Sequence, residues 1–220
     1  MNQDVMVYVV DDDERVRNAL LRLIKSAGYR ACAYPSAQAL LAEPWSATGT
    51  PTVVLTDLRM PGIDGIALAE KLAMAPVPPA IVFLSAHGDV PATVRAMKDG
   101  AVDFLEKPVR DEDLFDALSR AAERSREQIG RLERLRDLKE KYDRLTPRER
   151  QVFALIVSGL INKEAAWELG ISEKTIKVHR ARVVAKMGAR SLPDLVRMAA
   201  RLGLAADSTP PPAAHAARTG

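Results

Sequence analysis

Hydrophobic positions in the first half of the chain fall into short runs that alternate with stretches of helical spacing. Val5 to Val10 is a β-branched run. After it Val16, Leu20, Leu23 and Ile24 recur at helical intervals over Glu14 to Ala27, with Gly28 as the stop. The same alternation predicts a strand over Ala31 to Tyr34, a helix from Ser36 to about Ala42, a strand over Val53 to Thr56 and a helix over about Ile66 to Ala73. It continues with a strand over Ala80 to Ser85, a helix over Pro91 to Lys98, a strand over Val102 to Leu105 and a helix from Glu112 onward. Short strands alternating with helices predict an α/β domain, a doubly wound five-stranded parallel sheet with helices on both faces.

Beyond Glu112 the pattern changes. As far as Leu145 only Gly130 interrupts a helical stripe of Leu114, Leu118, Ala121, Ile129, Leu132, Leu135, Leu138, Tyr142 and Leu145, dense in charge on its other faces. A solvated connecting helix and a dimerising coiled coil both fit, and either makes residues 122–145 a spacer. Thr146-Pro-Arg-Glu149 then reads as a capping box with proline at the first helical position. Helices follow over Pro147 to Ser158, Asn162 to Leu169, Glu173 to Met187 and Leu192 to Leu202, an all-α four-helix module within residues 146–206. The tail, 207–220, contains Pro210-Pro-Pro212 and too little apolar content to pack, so it is expected to be disordered.

Charge divides the chain in the same way. Residues 1–121 carry 12 basic and 17 acidic side chains, whereas residues 146–203 carry 11 and 5. An acidic first module and a basic last one suggest a cation site and a polyanion as respective partners. The lone Cys32 excludes an intrachain disulfide, and no apolar run is long enough to cross a bilayer. The chain is therefore expected to be cytoplasmic.

In a parallel sheet ligands gather beyond the carboxyl ends of the strands, and the polar residues of residues 1–121 fall there. Asp11, Asp12 and Asp13 follow the first predicted strand, Asp57 the third, Ser85 ends the fourth and Lys107 follows the fifth. Asp13 is better placed to cap the next helix than to ligate a metal. Clustered carboxylates repel one another, and a hard divalent cation with oxygen ligands, Mg²⁺, relieves this. Asp57 is also a competent nucleophile toward a phosphoryl group, with Lys107 and Ser85 able to stabilise the transferring oxygens. A phosphohydrolase working through phosphoaspartate would use similar parts, but such enzymes of the haloacid dehalogenase type place a second acid two residues after the nucleophile. Here that position is Arg59.

In the basic module, Asn162 to Arg180 reads as helix, glycine turn, helix, with Ser172 capping the second helix. Ile176, Val183 and Met187 share an inward side, while Lys174, Lys177, Arg180, Arg182 and Lys186 lie largely elsewhere. Against the single acid Glu173, this composition favours DNA over a merely polar surface. A helix-turn-helix sets its second helix in the major groove. His179 has no second ligand at metal spacing and is expected to be a helix-surface or phosphate-contacting residue. Trp167 stands where a small or polar residue is expected.

Val-Val-Asp11-Asp12, Thr-Asp57-Leu-Arg-Met-Pro-Gly, Leu-Ser85-Ala-His-Gly-Asp and Phe104-Leu-Glu-Lys107-Pro resemble the receiver domain of two-component response regulators over residues 1–121. Leu145-Thr-Pro-Arg-Glu-Arg to Met187-Gly-Ala-Arg-Ser is similar to the LuxR-type DNA-binding domain. The whole chain resembles the FixJ/NarL class. That resemblance implies a flavodoxin-like receiver fold and phosphorylation of Asp57 by a sensor histidine kinase. It implies Mg²⁺ held by Asp11, Asp12, Asp57 and the backbone carbonyl of Arg59. It also makes Ser85, Phe104 and Lys107 the switch, although Phe104 equally reads as a core aromatic. Dimerisation on phosphorylation is expected through the face of the fourth helix, fifth strand and fifth helix. Lys174, Thr175, Lys177, Val178, Arg180 and Arg182 would contact double-stranded promoter DNA, with RNA polymerase a further partner. Ala181 stands where some relatives have a long basic residue. The chain is expected to be a regulator and not an enzyme.

Overall fold

The computed structural model describes residues 3–43, 49–86 and 101–204. The helix expected over Pro91 to Lys98 and the tail at 207–220 lie outside them. The chain divides into two compact units, Met1–Leu132 and Glu133–Gly220. Among the described residues no helix is long and apolar enough to cross a membrane.

The first unit is built on strands β1 (Met6–Val10), β2 (Arg30–Tyr34), β3 (Thr52–Asp57), β4 (Ala80–Ser85) and β5 (Asp103–Glu106). All neighbours are parallel, in the order β2-β1-β3-β4-β5. The strand pleat sends alternate side chains to opposite faces. Val53, Leu55, Val82 and Leu84 therefore join one core, which contains Leu20 and Ile24 of α1 (Glu14–Ser26) and Leu114 and Leu118 of α4 (Asp111–Asp143). Val54, Ile81 and Phe83 join the other, with Leu40 of α2 (Ala37–Ala42) and Leu68 and Leu72 of α3 (Gly65–Ala73). This is the doubly wound sheet that the alternating pattern predicts. β5 sits one residue later than expected, because Val102 gives its N–H to the Ile81 carbonyl before the ladder with β4 begins at Asp103.

Helix α4 runs through Gly130 without a break. Its early residues serve the first unit: Ala122 joins the sheet core, and buried Ser125 accepts the Thr52 N–H at 2.9 Å. Its late residues serve the second: Leu138, with Tyr142 beside it, packs into the helical core. Leu135, between these two sets, stays exposed, so the apolar stripe read from the sequence is interrupted there.

The second unit adds α5 (Pro147–Val157), α6 (Asn162–Leu169), α7 (Glu173–Met187) and α8 (Leu192–Arg201). Thr146 caps α5 through the expected reciprocal box with Glu149. Val152, Phe153, Ile156, Ala165, Ile176, Val183, Met187 and Leu195 fill the core. α6 ends at Gly170, whose φ of 63° is left-handed and carries the chain sharply into α7.

Candidate functional site: an acidic strand-end pocket and a basic helix

The parallel sheet delivers the ends of β1, β3 and β4 to one edge. Val10 pairs with Thr56 and Asp57 with Leu84, so Asp11, Asp57 and Ser85 each stand at or just past a strand end. Asp11 is fully buried, Asp57 half-buried and Asp12 exposed, and carboxylate oxygens of all three lie within 4.8 Å of one another. Asp13 turns away to cap α1, accepting the N–H groups of Arg15 and Val16. One Asp11 oxygen accepts the Asp13 N–H at 2.9 Å, and the guanidinium of Arg17 donates to the Asp11 carbonyl at 2.7 Å. These bonds hold the buried acid in place.

Lys107 closes the cluster. Its N–H donates to the Ser85 carbonyl at 2.7 Å, and its Nζ reaches Asp11 Oδ2 at 2.7 Å and Asp57 Oδ2 at 3.0 Å. Burial pushes the Asp57 carboxyl above its ordinary pKa; the bond to Lys107 opposes this and the charge of Asp11 reinforces it. Burial alone would lower the pKa of the Lys107 ammonium, but its bonds to Asp11 and Asp57 leave it raised. Two acids thus share one cation, and three carboxylates still carry excess negative charge. Hard oxygen donors in such a number fit a divalent cation of the Mg²⁺ type.

Ser85 is buried, and its hydroxyl donates to the Ala86 carbonyl at 2.9 Å. Phe104 is partly buried against the core that contains Phe83, its register partner on β4. Arg59 is exposed one residue past buried Leu58, and a hydrogen bond from its backbone helps lower the Asp57 pKa against the larger effect of burial.

Gly65 belongs to this site, although no sequence pattern marks it. It opens α3 behind the Asp64 cap and gives its N–H to the Leu58 carbonyl at 3.0 Å. A Cβ there would lie 2.3 Å from the Asp57 carbonyl oxygen. Because the obstacle is backbone, Gly65→Ala is expected to cost about 1–3 kcal/mol and to displace the Asp57 peptide. Urea unfolding and the rate of phosphoryl incorporation at Asp57 check it; wild-type values for both would contradict the close approach.

On the second unit, Lys174, Lys177, Val178 and Arg182 are exposed on α7, with Ala181 on the same face. Thr175 and Arg180 are half-buried. Thr175 lies 2.8 Å from the Ser172 hydroxyl, and Arg180 donates to Asn162 Oδ1 at 3.0 Å, tying α7 to α6. Lys177 is paired with Glu173 at 3.2 Å. Lys186 is not a free surface cation: its ammonium donates to the buried Glu149 carboxylate at 2.6 Å and to the Arg144 carbonyl at 3.2 Å. His179 is half-buried on α7.

A five-stranded parallel sheet with a carboxylate cluster at its strand ends, followed by a helix-turn-helix with a basic second helix, is the domain pair of a transcriptional response regulator. Residues 7–119 match the response regulator receiver domain, and residues 143–199 match the luxR family of bacterial regulatory proteins. The chain is 42% identical over 204 residues to nodulation protein W of Bradyrhizobium diazoefficiens, covering 93% of this chain and 89% of that protein. It is 43% identical over 216 residues to the transcriptional regulatory protein FixJ of Azorhizobium caulinodans, covering 96% and 100%. The solved structure of the response regulator StyR superposes with a TM-score of 0.74 at 41% identity, covering 90% of this chain and 98% of that one. The chain belongs to the FixJ/NarL family of response regulators, which are phosphorylatable transcription regulators and not enzymes. The phosphohydrolase reading of the acidic edge is thereby set aside. A receiver domain implies a histidine kinase partner, and a LuxR-type domain implies DNA binding.

Proposed function

We propose that this protein is a cytoplasmic transcription factor switched by phosphorylation of Asp57. The receiver would occupy residues 1–121, a helical linker 122–145 and the DNA-binding module 146–206. The observation that carries the reading is Asp57 itself, half-buried at the end of β3 with Lys107 Nζ at 3.0 Å and two further acids beside it.

In the transfer, an Asp57 carboxylate oxygen attacks the phosphorus of a phosphohistidine on a sensor kinase. A P–O bond forms as the P–N bond breaks, and the electron pair returns to the imidazole, which takes up a proton. Lys107 is positioned to balance charge on the phosphoryl oxygens. Asp11, Asp12, Asp57 and the Arg59 carbonyl would hold Mg²⁺, which when bound supplies further neutralisation of those oxygens. Ser85 exchanges its bond to the Ala86 carbonyl for one to the new phosphoryl group, and Phe104 turns into the space released. That rearranges the face around β5 and the start of α4, where Arg120 and Asp103 form an ion pair. Through this face the phosphorylated protein would dimerise.

A dimer sets two α7 helices on two half-sites of promoter DNA and gains affinity through effective concentration. Lys177 and Val178 face bases, Lys174, Thr175, Arg180 and Arg182 contact phosphates or nearby bases, and RNA polymerase responds to the occupied promoter. Binding should weaken steeply with salt, and loss of one phosphate contact in Lys174→Ala is expected to reduce the slope of log K against log salt by about 0.9. Fluorescence anisotropy at several salt concentrations tests this. An unchanged slope in Lys174→Ala, or an affinity indifferent to salt in wild type, would contradict the assigned contacts.

A further inference from the structure

Arg17 bonds the backbone carbonyls of three consecutive acids. Its Nη1 donates to the Asp11 carbonyl at 2.7 Å and to the Asp12 carbonyl at 3.4 Å, and its own backbone N–H opens α1 by donating to the Asp13 carbonyl at 2.9 Å. The side chain thus folds back from the helix over the turn that leads into it. A helix N-terminus carries partial positive charge, so a cation held beside it is disfavoured by the dipole. The carbonyls of the turn offset this and fix the half-buried guanidinium in place.

That turn carries two of the three clustered acids. Asp11 has a partner at each of its polar groups: its N–H donates to the Tyr34 carbonyl at 3.3 Å, its carbonyl accepts Arg17, and its carboxylate oxygens accept the Asp13 N–H and Lys107 Nζ. Asp12 differs. Its carboxylate is exposed and makes no hydrogen bond or ion pair among the described residues. Where that carboxylate stands relative to Asp11 therefore depends on the backbone between them, and Arg17 is the side chain that holds this backbone.

The two cations near the cluster act differently on an incoming metal. Lys107 spends its ammonium on the oxygens of Asp11 and Asp57. Arg17 spends its guanidinium on carbonyls and leaves the Asp12 oxygens open. Its charge repels any divalent cation, whereas the turn it fixes favours one that needs a set spacing. Ion size separates these effects: Mg²⁺ demands short bonds in near-ideal octahedral geometry, and Ca²⁺ accepts longer bonds in flexible arrangements. Repulsion weakens both ions alike, but a fixed spacing helps the small one.

Resting on the reading of this cluster as a Mg²⁺ site, we infer that Arg17 is the positioning residue that sets the Asp11 to Asp12 spacing and makes the site select Mg²⁺ over Ca²⁺.

The test titrates the full, isotope-labelled chain with MgCl₂ and separately with CaCl₂, following the amide resonances of Asp57 and Lys107. Arg17→Met is expected to raise the Mg²⁺ Kd by about tenfold and to leave the Ca²⁺ Kd within about twofold. Arg15→Met removes an equal charge from the same helical turn, at an exposed position, and should leave the ratio of the two constants unchanged. An unchanged ratio in Arg17→Met would overturn the proposal. So would tighter binding of both ions, which loss of a positive charge alone would give, or an equal weakening of both, which a turn that merely came apart would give. Should Arg17→Met lose the amide pattern of the folded chain, Arg17→Lys decides, because it keeps the charge but ends one bond short of the Nη1 position. Its ratio is expected to shift in the same direction by at least about threefold, and a wild-type ratio would contradict the positioning role. If wild type showed no amide shift with MgCl₂, the metal reading itself would fail, and that failure is seen before any variant is made.

Discussion

Asp57→Asn is expected to abolish phosphoryl incorporation from a small phosphodonor in the presence of Mg²⁺, while leaving the fold intact. Asparagine keeps the shape of the side chain but replaces the nucleophilic carboxylate with an amide. Neighbouring acids do not substitute for it: Asp11 is fully buried with its oxygens engaged by Lys107 and the Asp13 N–H, and Asp12 lies exposed at the outer side of the cluster. The variant also removes one of three negative charges held within 4.8 Å. Repulsion falls while Lys107 retains its 2.7 Å partner Asp11, so thermal stability should be at least that of wild type. Intact mass after incubation and a thermal melt check the two halves. Incorporation in the asparagine variant would move the acceptor elsewhere, and a lower Tm would show that Asp57 is structural.

Glu149→Gln is expected to destabilise the helical unit by about 2 kcal/mol, and Lys186→Met by a similar amount. Glu149 is 3% exposed and bonds Lys186 Nζ at 2.6 Å, while Lys186 is 37% exposed, so solvent screens the pair and the figure stays below that of a fully buried bridge. The same carboxylate accepts the Thr146 N–H at 2.8 Å and completes the α5 cap. Its bond to Lys186, and then that to the Thr146 backbone, lowers the Glu149 pKa from 4.5 to about 2. Since the folded value lies below the free one, the stabilisation is complete above pH 4.5 and disappears as pH falls toward 2. Urea unfolding followed by circular dichroism, at neutral pH and along an acid series, should show the wild type losing its advantage over Glu149→Gln in that window. A constant difference down to pH 2 would contradict the pairing. Because Lys186 also donates to the Arg144 carbonyl, the variants should loosen the last turn of α7 from the end of α4.

Much of this architecture is local and so legible in the chain. The run from Val53 ends in Asp57 because β3 is a central strand whose carboxyl end lies at the edge where ligands gather. Asp13, Ser172 and the Thr146 to Glu149 box act through bonds within three residues, and short-range spacing predicts all of them. What spacing does not predict depends on distant parts of the chain. Glu149 and Lys186 are 37 residues apart, and Lys186 reads locally as one more cation on a basic helix. Ser125, in a strongly charged stretch, is buried because Thr52, 73 residues earlier, gives it an N–H to accept. Gly65 looks like an ordinary helix start until the Asp57 carbonyl is placed beside it. The stripe along α4 reads as one continuous face, yet its two ends serve two different cores and Leu135 serves neither.

The central claim is that the state of Asp57 governs the affinity of α7 for DNA. Its most direct test is fluorescence anisotropy on one selected promoter fragment, at fixed salt, for wild type and Asp57→Asn with and without acetyl phosphate and Mg²⁺. The expected result is a rise in affinity of at least about tenfold on phosphodonor treatment of wild type, and none in the variant. Equal affinity in all four samples would contradict the claim and make the protein a constitutive DNA binder.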